Sequence, residues 1–173
     1  LAKQDEAEFA ACVERCSRFV FRVAYAVLRN SHDAEDVVQE VFLKLYRNGA
    51  WRGMREEKAY FARVAWRSAV DRLPKHAGAS MEEMEIASEL PNPEQMALDA
   101  DWQKKVHRLM DTLPEEFRQP LALSTIEELT SGEIARIMEI PEGTVRTRIL
   151  RARQLLRKKL ATLEGRSYAA KQI

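Results

Sequence analysis

The chain has 173 residues, 46% of them hydrophobic and 32% charged, with 28 Lys plus Arg against 27 Asp plus Glu. That length suits one ordinary domain or two small ones, and the aliphatic content excludes a disordered chain. No apolar run approaches the roughly 18 residues of a membrane span, and no N-terminal stretch reads as a signal peptide. A cytoplasmic protein with no membrane insertion of its own is expected. Leu1 where Met would stand suggests an alternative start codon or a trimmed chain.

The formal net charge of +1 argues at first against a nucleic-acid binder, which usually carries excess positive charge. Its distribution reverses that reading. Residues 51–75 sum to +4 and residues 131–173 to +6, whereas residues 76–102 hold seven acids and no Lys or Arg. Two basic blocks therefore flank one purely acidic block.

In the first block strand signals are nearly absent. Residues 6–29 read as one helix or two in succession, with Phe9, Val13, Cys16, Val20, Val23, Ala24 and Leu28 inward. Asn30-Ser31-His32-Asp33 is a break, with Asp33 the expected N-cap of a helix over Ala34–Arg47. Ala34, Val38, Val41, Phe42 and Leu45 share its core face. The opposite face carries Asp36, Gln39, Glu40, Leu43 and Arg47. Leu43 is either a scattered surface apolar residue or the anchor of a protein-docking face with a charged rim. A third helix over Glu56–Arg72 turns Phe61, Val64, Ala65, Ser68 and Ala69 inward and Tyr60, Arg63 and Arg67 outward, with Trp66 and Val70 at the flank. Cations interleaved with aromatics suit single-stranded nucleic acid; a solvated basic face is the plainer alternative.

Residues 76–102 have linker composition. Pro91 and Pro93 bar a helix through Leu90–Pro93, and a short helical turn fits around Met81–Ile86. Beyond them, Leu113-Pro114-Glu115-Glu116 starts a helix that runs to about Ile126, with Pro120 bending it or interrupting its ladder. Thr130 and Glu133 form a capping box ahead of a short helix through Met138. After the turn Glu139-Ile140-Pro141, a second helix runs from about Glu142 to Leu160. This spacing makes a helix-turn-helix. Val145, Ile149, Ala152 and Leu156 face inward; Thr147, Arg151, Gln154 and Lys158 face outward, flanked by Arg146 and Leu150. Arg, Thr and Gln can read base edges in a major groove, and further cations meet phosphates. Gly143 leaves the helix N-terminus open to a phosphate. The predicted fold is all-α: two small helical domains over 1–75 and 103–164, a flexible acidic linker over 76–102, and a tail over 165–173.

Asp33-Ala34-Glu35-Asp36-Val37-Val38-Gln39-Glu40-Val41-Phe42 resembles region 2.2 of bacterial sigma factors of the extracytoplasmic-function (ECF) type. Tyr60–Asp71 resembles region 2.3 and the start of region 2.4. Leu113–Arg118, Glu133-Ile134-Ala135, Ile140-Pro141 and Gly143–Arg148 resemble region 4. The resemblance covers about Phe19 to Leu160. It implies a sigma-70-type factor, not an enzyme, that binds core RNA polymerase (β′ clamp helices and β flap) and promoter DNA. On this resemblance Glu35, Asp36, Gln39, Glu40 and Leu43 dock on polymerase. Tyr60, Arg63, Arg67, Arg72 and Lys75 handle the −10 element, and Arg146, Thr147, Leu150, Arg151 and Gln154 read the −35 element. An anti-sigma partner is expected, and the acidic linker is expected to mimic RNA in a cationic polymerase path, a solvated tether kept soluble by its acids being the plainer alternative. Arg67 stands where the family often has Asn, and Glu128 and Glu139 stand where it often has Gly.

A stand-alone helix-turn-helix regulator is the alternative; it would need a dimer surface, and no heptad seam supports one. No cofactor or metal is called for. Cys12 and Cys16 read as buried or half-buried reduced thiols, and His32, His76 and His107 are isolated from any nucleophile pattern.

Overall fold

A computed structural model describes residues 2–74, 95–126 and 129–170, with residues 2–3, 95–101 and 164–170 as backbone only. Seven helices are described: α1 (Ala2–Leu28), α2 (Ser31–Asn48), α3 (Glu57–Arg72), α4 (Gln95–Asp111), α5 (Glu115–Ser124), α6 (Ser131–Met138) and α7 (Glu142–Ala170). No strand occurs among the described residues. The chain divides into two compact units, one centred on α1–α3 and the other on α4, α5 and α7. Most of residues 76–102, including the turn expected around Met81–Ile86, lies outside the described residues, as do Lys75 and Glu128.

The first unit is a three-helix bundle in which each helix packs on both others. Its centre is aliphatic: Val20, Val23, Val27, Val37, Val41 and Leu45, closed by Phe61, Ala65 and Ala69 of α3. Each such fully buried aliphatic side chain contributes roughly 1.5–3 kcal/mol relative to exposure. An aromatic group closes one end. Phe9 lies 6.4 Å from Phe42, 5.0 Å from Tyr46 and 5.5 Å from Trp51 between ring centroids. Trp51 is thereby anchored in the α2–α3 connection, just after Gly49 ends α2 in the left-handed conformation at φ 67°.

The helix starts differ in detail from the sequence expectation. Asn30, not Asp33, caps α2: its backbone is extended and its Oδ1 accepts from the Asp33 amide at 3.0 Å. Capping there admits three further residues to the helix, and Asp33 still sits in the first turn, where a carboxylate suits the helix dipole. Val37 is buried and Val38 only half-buried, because α2 meets both α1 and α3 and its core arc is turned toward Val37. Trp66, expected at the flank, is 8% exposed.

In the second unit Leu109, Met110, Leu113, Leu121, Leu123 and Ile126 from α4, α5 and their ends pack with Val145, Ile149 and Ala152 of α7. Pro120 sits inside α5 and is buried. The amide it lacks would have bonded the carbonyl of Glu116, an exposed residue that water can satisfy. The Lys159 ammonium donates to the Thr112 hydroxyl at 2.6 Å and the Thr112 carbonyl at 3.3 Å, tying α7 to the end of α4, where a cation suits the helix dipole.

Two boundaries move outward. The backbone is helical from Gln95, inside the stretch read as linker, because Pro91 and Pro93 bar a helix only up to themselves. At the other end α7 continues past Leu160 to Ala170 rather than giving way to a tail at 165. The added segment has no Pro and several good helix formers; its one glycine, Gly165, costs only about 1 kcal/mol.

Candidate functional site

Three surfaces hold the residues that the sequence singles out. The first is the outer side of α2. Glu35, Gln39 and Leu43 are exposed and Asp36 and Glu40 half-buried, so the five share one solvent-facing surface. Leu43 is 49% exposed and Tyr46 53%, three residues apart on adjoining positions. Apolar surface amid charge is the composition of a protein-docking patch. Tyr46 was not singled out from sequence; its i, i+3 relation to Leu43 was the available signal.

The acids of this face are not equivalent. Glu40 receives the Lys44 ammonium at 2.5 Å on one oxygen and the Arg72 guanidinium at 2.9 Å on the other. Arg72 also approaches Asp36 at 3.6 Å. The Lys44 and Arg72 hydrogen bonds hold the Glu40 carboxyl below its ordinary range. The Glu35 and Gln39 side chains make no ion pair or hydrogen bond with another described residue.

On α3, Arg63 and Arg67 are exposed and Tyr60 half-buried, its ring edge-on to Phe61 at 5.9 Å. These three share one face of the helix. Arg72 does not join them: it is turned back to the α2 acids. Lys75 lies outside the described residues.

The third surface is built on α7, with the capped start of α6 beside it. The capping box forms as expected. The Thr130 amide donates to Glu133 Oε2 at 2.7 Å, and the Glu133 amide donates to Thr130 Oγ1 at 3.3 Å. Glu139, in the turn between the helices, has φ 57°, the left-handed conformation that glycine adopts without penalty. Gly143 has nothing within 4 Å of the position a Cβ would take, so the start of α7 is open to solvent.

Along α7, Val145, Ile149 and Ala152 are buried, whereas Arg146, Thr147, Leu150, Arg151 and Gln154 are all exposed. The five residues therefore line one accessible side of the helix. Leu150 is 56% exposed. The Thr147 hydroxyl donates to the Gly143 carbonyl at 2.9 Å. Arg151, Arg153, Arg157 and Lys158 form no ion pair with a described residue. Arg146 is different: it donates to Glu142 Oε1 at 2.6 Å, the oxygen that also accepts from the Ser131 hydroxyl at 2.7 Å. The Ser131 and Arg146 hydrogen bonds push the Glu142 carboxyl below its ordinary range. Ser131 and Glu142 thus orient Arg146; the Glu142–Arg146 pair follows from its i, i+4 spacing, whereas the part of Ser131 does not. Phe117 of α5, together with Arg151, Gln154, Leu155 and Lys158, lines a shallow groove of about 380 Å³.

Cys12 and Cys16 are free and buried. Burial is the main cause that raises the Cys16 thiol to about 11, so it stays protonated at neutral pH.

Two family models match this chain: sigma-70 region 2 over residues 12–78 and sigma-70 region 4 over residues 103–156. The ECF RNA polymerase sigma factor SigW of Bacillus subtilis is 31% identical over 174 residues, a match covering 93% of each chain. The ECF RNA polymerase sigma-E factor of Escherichia coli is 34% identical, covering 84% of each. The chain belongs to the ECF family of RNA polymerase sigma factors. It also matches the ECF sigma factor SigE of Mycolicibacterium smegmatis at 34% identity, spanning 57% of that protein's length.

Solved structures share the sigma-factor fold at lower identity. The sigma factor RpoE of Bartonella quintana, solved with the anti-sigma factor NepR, superposes with a TM-score of 0.65 at 17% identity, covering 92% of this chain and 98% of that one. CnrH, solved with the cytosolic domain of CnrY, gives 0.60 at 19% identity, covering 89% and 88%. In this sigma factor α2 and α3 lie within the residues matched to region 2, and α6 and the first half of α7 within those matched to region 4.

Proposed function

We propose that this chain is a non-catalytic, cytoplasmic promoter-specificity subunit that docks on core RNA polymerase and recognises a −35 and a −10 element. The observation that carries this reading is the pairing, in one ECF-family chain, of an acidic α2 face centred on exposed Leu43 with a recognition helix whose exposed side is cationic. Glu35, Asp36, Gln39, Glu40 and Leu43 dock on the β′ clamp helices. Arg151, Thr147, Leu150 and Gln154 enter the −35 major groove. Arg146, held by Glu142 and Ser131, is aimed at the adjoining backbone or base edge. Tyr60, Arg63, Arg67 and Lys75 receive the opened −10 strand, the cations on phosphates and the aromatic ring against unpaired bases.

The mechanism needs no bond chemistry from this chain. Initiation is driven by binding free energy: α7 reads the closed duplex, and capture of unpaired bases by region 2 favours the opened strand. The Thr147 hydroxyl hydrogen is occupied by the Gly143 carbonyl, so its oxygen remains an acceptor and its methyl an apolar contact. The linker over 76–102 carries seven acids and no Lys or Arg, which suits a cationic path in polymerase. Regulation by an anti-sigma factor is part of the proposal, supported by the anti-sigma complex of one fold relative, RpoE with NepR.

Stable association with core polymerase in the absence of DNA tests the reading. A co-eluting complex is the expected result. Duplex binding as a dimer, without polymerase association, would favour the stand-alone regulator.

A further inference from the structure

Arg72 occupies a place in the structure that its place in the sequence does not suggest. It lies in the last turn of α3, one residue before the extended backbone of Leu73 ends the helix. Its guanidinium crosses to α2, with Nη2 at 2.9 Å from Glu40 Oε2 and Nη1 at 3.6 Å from Asp36 Oδ2. The other Glu40 oxygen is held by Lys44. Both oxygens of the central docking carboxylate are therefore already engaged by cations of the same chain. Arg72 and Glu40 are each 34% exposed at their side chains, so the pair is open to exchange from solvent.

We infer that Arg72 is an internal competitor of core polymerase: its guanidinium occupies the α2 carboxylates in the free chain, and docking exchanges it for a cation of the partner. This rests on the assignment of α2 as the polymerase-docking face. The carboxylate keeps lone pairs free, but two cations at hydrogen-bond distance cancel most of its attraction for a third, so a partner cation gains by displacing one of them. Lys44 sits on the same helix as Glu40, four residues on, and moves with it. Arg72 reaches from another helix and can be withdrawn without disturbing α2. An exposed pair of this kind is weak enough to be displaced and strong enough to lower the partner's affinity severalfold. Arg72 thus belongs to the docking surface in the free chain, apart from the Tyr60, Arg63 and Arg67 face.

The test is a titration of the full chain and its variants Arg72→Gln and Arg72→Lys against core polymerase at two salt concentrations, with melting curves for each. Arg72→Gln is expected to bind core about two- to fivefold tighter than wild type at low salt, with the gain shrinking at high salt. Arg72→Lys, which keeps the charge but loses the two-pronged geometry, is expected to fall between and guards against a folding defect in the Gln variant. Unchanged affinity in both variants would make Arg72 a bystander and overturn the inference. Weaker binding by variants that melt normally would also overturn it, because Arg72 would then support docking rather than compete with it. Failure of the wild-type chain to bind core at all would instead strike at the docking assignment itself and remove the inference with it.

Discussion

Arg151→Ala separates three roles that the geometry allows for Arg151 on α7. Arg151 is exposed, forms no ion pair with a described residue, and lies beside Phe117 in the shallow groove of the second unit. None of the buried α7 stripe is touched by the change, so folding stability should move by no more than about 0.5 kcal/mol. If Arg151 reads a base bidentately, specific binding falls by about 1–3 kcal/mol, roughly five- to 150-fold, and base preference relaxes at one position only. If it meets a phosphate instead, binding weakens on every sequence and the salt slope falls by about 0.9. If it packs on Phe117, the melting temperature drops while the base preference holds. Fluorescence anisotropy of the reconstituted holoenzyme on promoter fragments, each varied at one −35 position and measured at several salt concentrations, distinguishes these. An intact preference at every −35 position would refute base reading by Arg151.

Further consequences can be measured on the chain itself. The Glu40 carboxyl is held below its ordinary value of 4.5, so its ion pairs contribute stability at neutral pH that is lost as pH falls through its folded value. The melting difference between wild type and Glu40→Gln should therefore be present at pH 7 and vanish in acid; a difference that persists in acid would contradict the assignment. Thr130→Ala removes one half of the capping box and should lower the stability of the second unit by about 1 kcal/mol, read by denaturant titration. Glu139→Gly relieves a left-handed backbone and should raise stability by up to about 1 kcal/mol in the same assay. The Cys16 thiol, raised to about 11 by burial, should resist alkylation of the native chain at pH 8 and react on unfolding.

How much of this was legible in the sequence depends on the range of the interaction. The capping box of Thr130 and Glu133 is a local pattern, and it forms as read. The exposed side of α7 follows from helical period and a charge pattern that agrees with it, and Arg146, Thr147, Leu150, Arg151 and Gln154 all lie there. The positive φ of Glu139 was foreshadowed by the family's preference for glycine at that position. What the sequence concealed is chiefly non-local. Arg72 is separated from Glu40 by 32 positions, and only the packing of α2 on α3 brings them together. Glu142 lies four residues before Arg146, a legible helix pair, but Ser131 is 11 positions from Glu142 across the turn, and that bond has no linear signature. The α2 cap was missed for a different reason: Asn30, Ser31 and Asp33 are all capable caps, and choosing among them requires the backbone conformation at Asn30.

The central claim is that one chain supplies both polymerase docking and two-element promoter recognition. In vitro transcription from a randomised promoter library, with core polymerase plus this chain, tests it most directly. Transcripts are expected from a minor set of templates that share two short motifs at fixed separation upstream of the start, absent when core is used alone. Transcripts with no shared upstream motif, or none above core alone, would contradict it.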